Sequence, residues 1–286
     1  MNSASRRRST LFIGALALDA LPGALASGAD LLCIDLEDAV PPDRKAEGRR
    51  ALQRALDAGL CGAAGASPAP VARINPLTTP EGRADLQALA ARPGALTALL
   101  LPKVESDDEV LACAAELERT GAALHVYAII ETAVGLELAA AIAVSSPRLK
   151  ALFFGGFDLS AALGCDMAWE PLLYARSRVV HAAALAGIDC CDSPYPGVDD
   201  AEGLADACRR AKALGMTGKA AKSAAQIPVI HRTFTPTRGE RDRARRIVAA
   251  FNADPTRPLF FEGKLYERPA IRRLEQVAAA EDAEDA

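Results

Sequence analysis

The chain reads as an α/β protein, a (β/α)8 TIM barrel with a C-terminal helical extension, and three observations predict this. Eight short apolar runs alternate strictly with longer, alanine-rich stretches of helical period, as parallel strands joined by crossover helices do. The 286 residues suit one barrel of about 250 residues plus extensions. Charged residues stand at or just past the ends of several runs: Glu37 and Asp38 after LLCIDL, Arg73 in VARIN, Glu131 after VYAII and Asp158 in FFGGFDLS. Such charges do little for a core, whereas the carboxyl-end rim of a parallel barrel is where active sites are assembled. An open doubly wound sheet also alternates, but functional residues on several strands favour closure.

The elements follow in order. LFIGA (11–15) is the first strand, and its helix ends near the Ser27-Gly28 break. LLCIDL (31–36) precedes a helix that starts after Pro41-Pro42 and exposes Arg44, Lys45, Glu47 and Arg49. Pro- and Gly-rich residues 59–70 form a loop, VARI (71–74) a strand and 80–91 a helix. TALLLP (97–102) is paired with a helix over 106–120, and LHVYAII (124–130) with one over 132–145. LKALFF (149–154) leads to a helix within 168–186, and GIDCC (187–191) to one over 199–213. The weak MTGKA (216–220) and a helix near 223–233 complete the eighth unit. The barrel is therefore expected over 1–235 and the extension over 236–286. The extension holds a helix over 238–252 whose arginines read as a solvated face, and an acidic tail, EDAEDA, that reads as disordered.

A net charge of −4 offers no general attraction to nucleic acid or anionic membrane. Arg6-Arg7-Arg8 is too short to alter this and reads as a solvated tail; Asp19 and Pro22 interrupt any signal-like apolar stretch after it. No run approaches the roughly 20 apolar residues a membrane span needs, and a cytoplasmic location is expected. Seven scattered cysteines show neither a CxxC pair nor a zinc spacing. Cys33, Cys190 and Cys191 fall in apolar runs and read as small buried hydrophobes.

Two acids at separate strand ends, Glu131 and Asp158, suit Mg²⁺, a hard cation that takes one or two carboxylates, water and substrate oxygens. Either acid has a plainer role, Glu131 at a helix N-terminus and Asp158 as a cap. Gly155-Gly156 lets backbone approach a ligand. A desolvated Arg73 needs an anion, which is a substrate carboxylate or else Glu37 or Asp38. Lys103, in LLLPKVE, reads as an ion-pair partner rather than a Schiff-base lysine. No His ends a strand, and no G-x-S-x-G, P-loop or dinucleotide fingerprint is present.

Together these motifs carry a resemblance. ASGADLLCIDLEDAVPPDRKAEGR, ARIN, LPKVES, IIETAVG, FFGGFDLSAALG and GKLYERPAIRRLE occur in the order found in the citrate lyase β-subunit-like lyases. These form the CoA-thioester branch of the 4-hydroxy-2-oxoheptanedioate aldolase/citrate lyase superfamily, and the likeness spans about residues 8–275. The resemblance implies a magnesium-dependent barrel in which Glu131 and Asp158 are the metal ligands. It implies that Arg73, with Glu131 at the same end, binds the 2-oxo acid, and that Glu37 and Asp38 hold metal-bound water or that arginine. It also implies a homo-oligomer, trimer or hexamer, whose C-terminal segment lies over a neighbour's site. Two positions depart from the family pattern. Gly218-Lys219-Ala220-Ala221-Lys222-Ser223-Ala224-Ala225-Gln226-Ile227 stands where G-K-x-x-I-H-P-x-Q-I is usual, and Glu267 replaces an aspartate that acts in trans as an acid/base group. The activity implied is cleavage of a 3-hydroxyacyl-CoA thioester, of citramalyl-CoA or malyl-CoA type, to acetyl-CoA and a 2-oxo acid. A free-acid aldolase, a malyl-CoA thioesterase and a non-catalytic metal-bearing subunit stay open beside it.

Overall fold

The computed structural model describes residues 7–61, 67–92 and 94–280; Arg6 and the acidic tail fall outside the described residues. Eight parallel strands close into a barrel in chain order. They are β1 (Ser9–Gly14), β2 (Leu31–Asp35), β3 (Ala69–Arg73), β4 (Ala98–Leu101), β5 (His125–Ile130), β6 (Leu149–Phe154), β7 (Asp189–Asp192) and β8 (Gly218–Ala221). Pairing of Ser9 with Lys219, Thr10 with Ala220 and Leu11 with Ala221 seals the ring. The (β/α)8 barrel is thus the fold.

The helices between the strands are α1 (Leu21–Leu25), α2 (Lys45–Asp57), α3 (Pro80–Ala90), α4 (Asp107–Arg119), α5 (Ala133–Val144), α6 (Gly156–Leu163), α7 (Leu173–Ala186) and α8 (Ala201–Leu214), with α9 (Ile227–Phe234) after β8. Their burial follows a helical period: α2 hides Gly48, Leu52, Ala55 and Leu56 and exposes Arg50 and Arg54, whereas Arg49, expected outward, is mostly buried and donates to the buried Asp85 carboxylate at 2.5 Å. The short α6 answers to the plainer reading of Asp158 as a helix cap, but the cap is Gly155 and Asp158 lies inside the first turn.

Inside the ring, Leu31, Cys33, Val71, Leu100, Tyr127 and Phe153 form one buried cluster. Tyr127 and Phe153 meet with ring centroids 6.0 Å apart. Cys33, Cys190 and Cys191 are free and buried, as expected of small hydrophobes.

The solvated N-terminal run is corrected for its described arginines. Arg7 Nε donates to the Tyr127 hydroxyl at 2.9 Å, and Nη1 to Asp189 at 2.5 Å. Arg8 Nε and Nη2 donate to the two oxygens of Asp30 at 2.9 and 2.7 Å. Burial pushes the Asp30 carboxyl up, but its bonds to Arg8 outweigh that and hold it below the usual carboxylate range. Charges at the floor of a barrel must be paired, and here the partners lie 22 and 182 residues along the chain.

The chain divides into a unit Met1–His231 and a unit Arg232–Ala286. The second unit contains α10 (Arg238–Ala253), a hairpin of β9 (Leu259–Phe261) and β10 (Lys264–Tyr266), and α11 (Arg268–Ala278). Thr237 and Glu240 form a reciprocal capping box at the start of α10. Glu262 and Gly263 turn the hairpin with φ of 49° and 74°, the left-handed pair a two-residue turn requires. Ile247, Phe251 and Ile271 are its buried core. The arginine-rich start of α10 is not wholly solvated: Arg241 is buried and donates to the Pro236 carbonyl at 2.6 Å.

Candidate active site

Glu37, Asp38, Arg73, Glu131 and Asp158 come together at the carboxyl-end rim of the barrel. All but Glu37 line one cavity of about 420 Å³. Glu131 follows β5 in the inward series of Tyr127 and Ile129, and is 3% exposed. Thr132 caps α5 by accepting from Gly135 N–H at 3.0 Å. A Cβ on Gly135 would lie 2.2 Å from the Val104 carbonyl oxygen, so only glycine lets this turn seat beside β4. Asp158 stands in the first turn of α6, half exposed.

Gly155 makes room for Glu131. A Cβ there would meet Glu131 Cβ at 2.3 Å and Oε2 at 2.5 Å. Glu131 Oε1 accepts the backbone N–H of Lys103 at 2.9 Å. Lys103 adopts φ of 51°, a left-handed backbone uncommon outside glycine, and its ammonium bonds Glu37. The same ammonium is 3.9 Å from Asp158, so Lys103 is an ion-pair partner. Burial, then the charges of Asp158 and Glu37, push the Glu131 carboxyl up to about 7.

Arg73 ends β3 and pairs by both sides of its fork with Asp35, Nε to Oδ1 at 2.8 Å and Nη2 to Oδ2 at 2.6 Å. Its remaining nitrogen, Nη1, is 2.9 Å from Glu37 Oε2, outside hydrogen-bonding angle, and 3.3 Å from Asp38. Burial pushes the Glu37 carboxyl up, against the pull of Arg73 and Lys103. The expected pairing of Arg73 with Glu37 and Asp38 is present, but Asp35 is the principal partner and was missed. So was a second buried group: Asp192 ends β7, bonds the Lys219 ammonium and accepts from Arg176 Nε at 3.1 Å. The only available signal was two acids, Asp35 and Asp192, at the ends of apolar strands, one of them just beyond the expected strand.

Glu267 lies in the second unit as the residue before α11, exposed and without a side-chain capping bond. His125 starts β5, and His181 and His231 lie in α7 and α9, so none ends a strand.

The donor set suits a hard divalent cation. Glu131 is a carboxylate made costly by burial and by like charges, and a cation beside it would offset both. Among the described residues no group of three or more His, Cys, Asp and Glu side chains is arranged to hold a metal. Two carboxylates completed by water and substrate oxygens are the coordination Mg²⁺ favours.

The family model described as HpcH/HpaI aldolase/citrate lyase matches residues 8–224. The chain is 31% identical to the L-malyl-CoA/beta-methylmalyl-CoA lyase of Cereibacter sphaeroides, over 88% of this chain and 87% of that protein. It is 34% identical to the (3S)-malyl-CoA thioesterase of the same organism, over 85% and 82%. Among solved structures, the CitE protein of Mycobacterium tuberculosis in complex with magnesium, acetoacetate and coenzyme A superposes with a TM-score of 0.78 at 29% identity, covering 96% of this chain and 97% of that one.

Proposed function

The chain belongs to the HpcH/HpaI aldolase/citrate lyase family, and on that premise we propose that it is a Mg²⁺-dependent carbon–carbon lyase. Its substrate is a 3-hydroxyacyl-CoA thioester of citramalyl-CoA or malyl-CoA type, and its products are acetyl-CoA and a 2-oxo acid. One observation carries the reading: Glu131 and Asp158, two acids with mutually unfavourable charge, face a cavity that also holds the Arg73 guanidinium.

Glu131 and Asp158 would hold Mg²⁺, as their donor chemistry allows. Bound there, the ion supplies Lewis-acid stabilisation of oxygen charge, worth several kcal/mol of barrier. Arg73 orients the carboxylate of the hydroxy-acid end, and Asp35, Glu37 and Asp38 hold that guanidinium in place. As the hydroxyl gives its proton to a carboxylate of the site and becomes a carbonyl, the bond between C2 and C3 breaks and its electron pair passes to the thioester as an enolate. An acid must then protonate that carbon. Glu267 of a neighbouring copy in a homo-oligomer is the residue we assign to this step.

A thioesterase, in which the same site directs water onto the thioester, is the second reading, favoured by the similarity to the malyl-CoA thioesterase. A panel of 3-hydroxyacyl-CoA thioesters and free hydroxy acids, assayed with Mg²⁺, separates the two. Acetyl-CoA and an oxo acid in equal amounts are expected; free CoA thiol with intact hydroxy acid would replace the lyase by the thioesterase. Cleavage of free acids alone would point to an aldolase.

A further inference from the structure

The acids at the rim outnumber the cations that pair with them. Asp35, Glu37, Asp38 and Asp158 are met by Arg73 and Lys103. Arg73 is fixed, because its Nε and Nη2 are committed to Asp35. Lys103 is held differently. Its ammonium bonds Glu37 and lies 3.8 Å from Asp38 Oδ1 and 3.9 Å from Asp158 Oδ1. Among the described residues no other basic side chain pairs with Asp158.

The backbone of the same residue serves Glu131, whose Oε1 accepts the Lys103 N–H at 2.9 Å. Among the described residues Oε2 accepts no hydrogen bond, so one oxygen of Glu131 is left for a cation. The Lys103 side chain is 34% exposed, which gives its ammonium room to draw back from Asp158. An ammonium in this place lowers the cost of crowding acids together, as a bound cation would. It also makes the same acids less attractive to a divalent ion, because like charges repel. A single ammonium on a flexible stem can give way where an arginine held by its fork cannot.

We propose, on the footing of the lyase reading and its Mg²⁺ site, that Lys103 is a resident counter-cation that competes with the divalent ion for Asp158. In metal-free protein its ammonium offsets the charge of Asp158, Asp38 and Glu37. When Glu131 and Asp158 take up the ion, the ammonium withdraws from Asp158 and keeps its bond to Glu37. Lys103 thereby sets the strength of metal binding without being a ligand, and holds it below what the two carboxylates would give by themselves.

Titration calorimetry of the full chain with Mg²⁺ alone, at fixed pH and ionic strength, tests this. Lys103→Met should bind Mg²⁺ about tenfold more tightly than wild type, the effect of a unit charge on a doubly charged ion across a few ångströms of partly screened medium. Lys103→Gly removes the same charge and suits the left-handed backbone, so it should show a similar gain. Lys103→Arg should stay near wild type. Metal-free Lys103→Met should melt below wild type, and saturating Mg²⁺ should raise its midpoint by more. If Lys103 only props Glu37, its loss leaves Mg²⁺ binding unchanged or weaker. That result in both charge-removing variants overturns the proposal and leaves the metal assignment standing. A gain confined to one of the two traces to packing rather than charge and overturns it as well. Absence of Mg²⁺ binding in wild type and in both variants overturns the metal assignment too.

Discussion

Arg73 and Asp35 face each other at the same register of neighbouring strands and are joined by two parallel hydrogen bonds of 2.8 and 2.6 Å. Arg73 is thereby preorganised: most of its fork is committed to the protein, and one nitrogen is turned toward Glu37 and Asp38. Removing it leaves Asp35, 3% exposed, without its cationic partner and leaves Glu37, 4% exposed, with Lys103 alone. Arg73→Ala should therefore cost about 3–5 kcal/mol of stability, read from urea unfolding. Arg73→Lys should recover part of that loss yet bind pyruvate or glyoxylate more weakly, since an ammonium cannot hold Asp35 by two bonds and still present a fixed third donor to the substrate. Equal oxo-acid affinity in that variant would remove Arg73 from substrate recognition.

Glu131→Gln and Asp158→Asn should each weaken Mg²⁺ binding and activity. A unit charge about 4 Å from a cation contributes on the order of 4 kcal/mol per cation charge at an effective dielectric near 20. Titration calorimetry is the direct check, and undiminished Mg²⁺ affinity in both variants would refute the assignment.

The raised carboxyl of Glu131 has a stability signature of its own. Its value moves from 4.5 to about 7 on folding, by burial first and then by Asp158 and Glu37. The folded chain thus holds this proton more tightly than the unfolded chain does. In metal-free protein its contribution is fully present below pH 4.5 and is lost as pH rises through about 7. The loss is about 3 kcal/mol at full ionisation. Metal-free Glu131→Gln should accordingly be more stable than wild type at pH 8 and show no such gain at pH 4. A wild-type unfolding midpoint at pH 8 would contradict this. Uptake of Mg²⁺ near neutral pH should also release protons, measurable as a buffer-dependent heat.

Glu267→Gln should abolish turnover with Mg²⁺ affinity and oligomer size unchanged. Mixed oligomers of Glu267→Gln and Arg73→Ala should regain part of the activity through sites that combine both intact residues. Full activity in Glu267→Gln, or no rescue in verified mixed oligomers, would leave Glu267 without a chemical role.

The eight strands were legible because a strand buried on both faces is a short apolar run, and a charge at its end interrupts the run visibly. Glu131 and Asp158 announce themselves in that way. The same double burial hid Asp35 and Asp192. Without alternation along a parallel strand, nothing local says which side chains point into the ring. Their partners, Arg73 and Lys219, are 38 and 27 residues away and become neighbours only on closure. Arg7 and Arg8 read as solvated for a related reason, since Asp189 and Asp30 are invisible from their local sequence. The hairpin of the second unit was missed because strands of three residues carry too little pattern.

Lys103 touches both halves of the rim, with its backbone N–H on Glu131 and its ammonium on Glu37. One residue of one loop is therefore a shared tether for two acids from different strands. A substitution at either acid changes the load on the other through this hinge, so their effects should be epistatic rather than additive. Evolution or engineering of this rim must then proceed by paired steps, with position 103 changed in concert with the acids it spans.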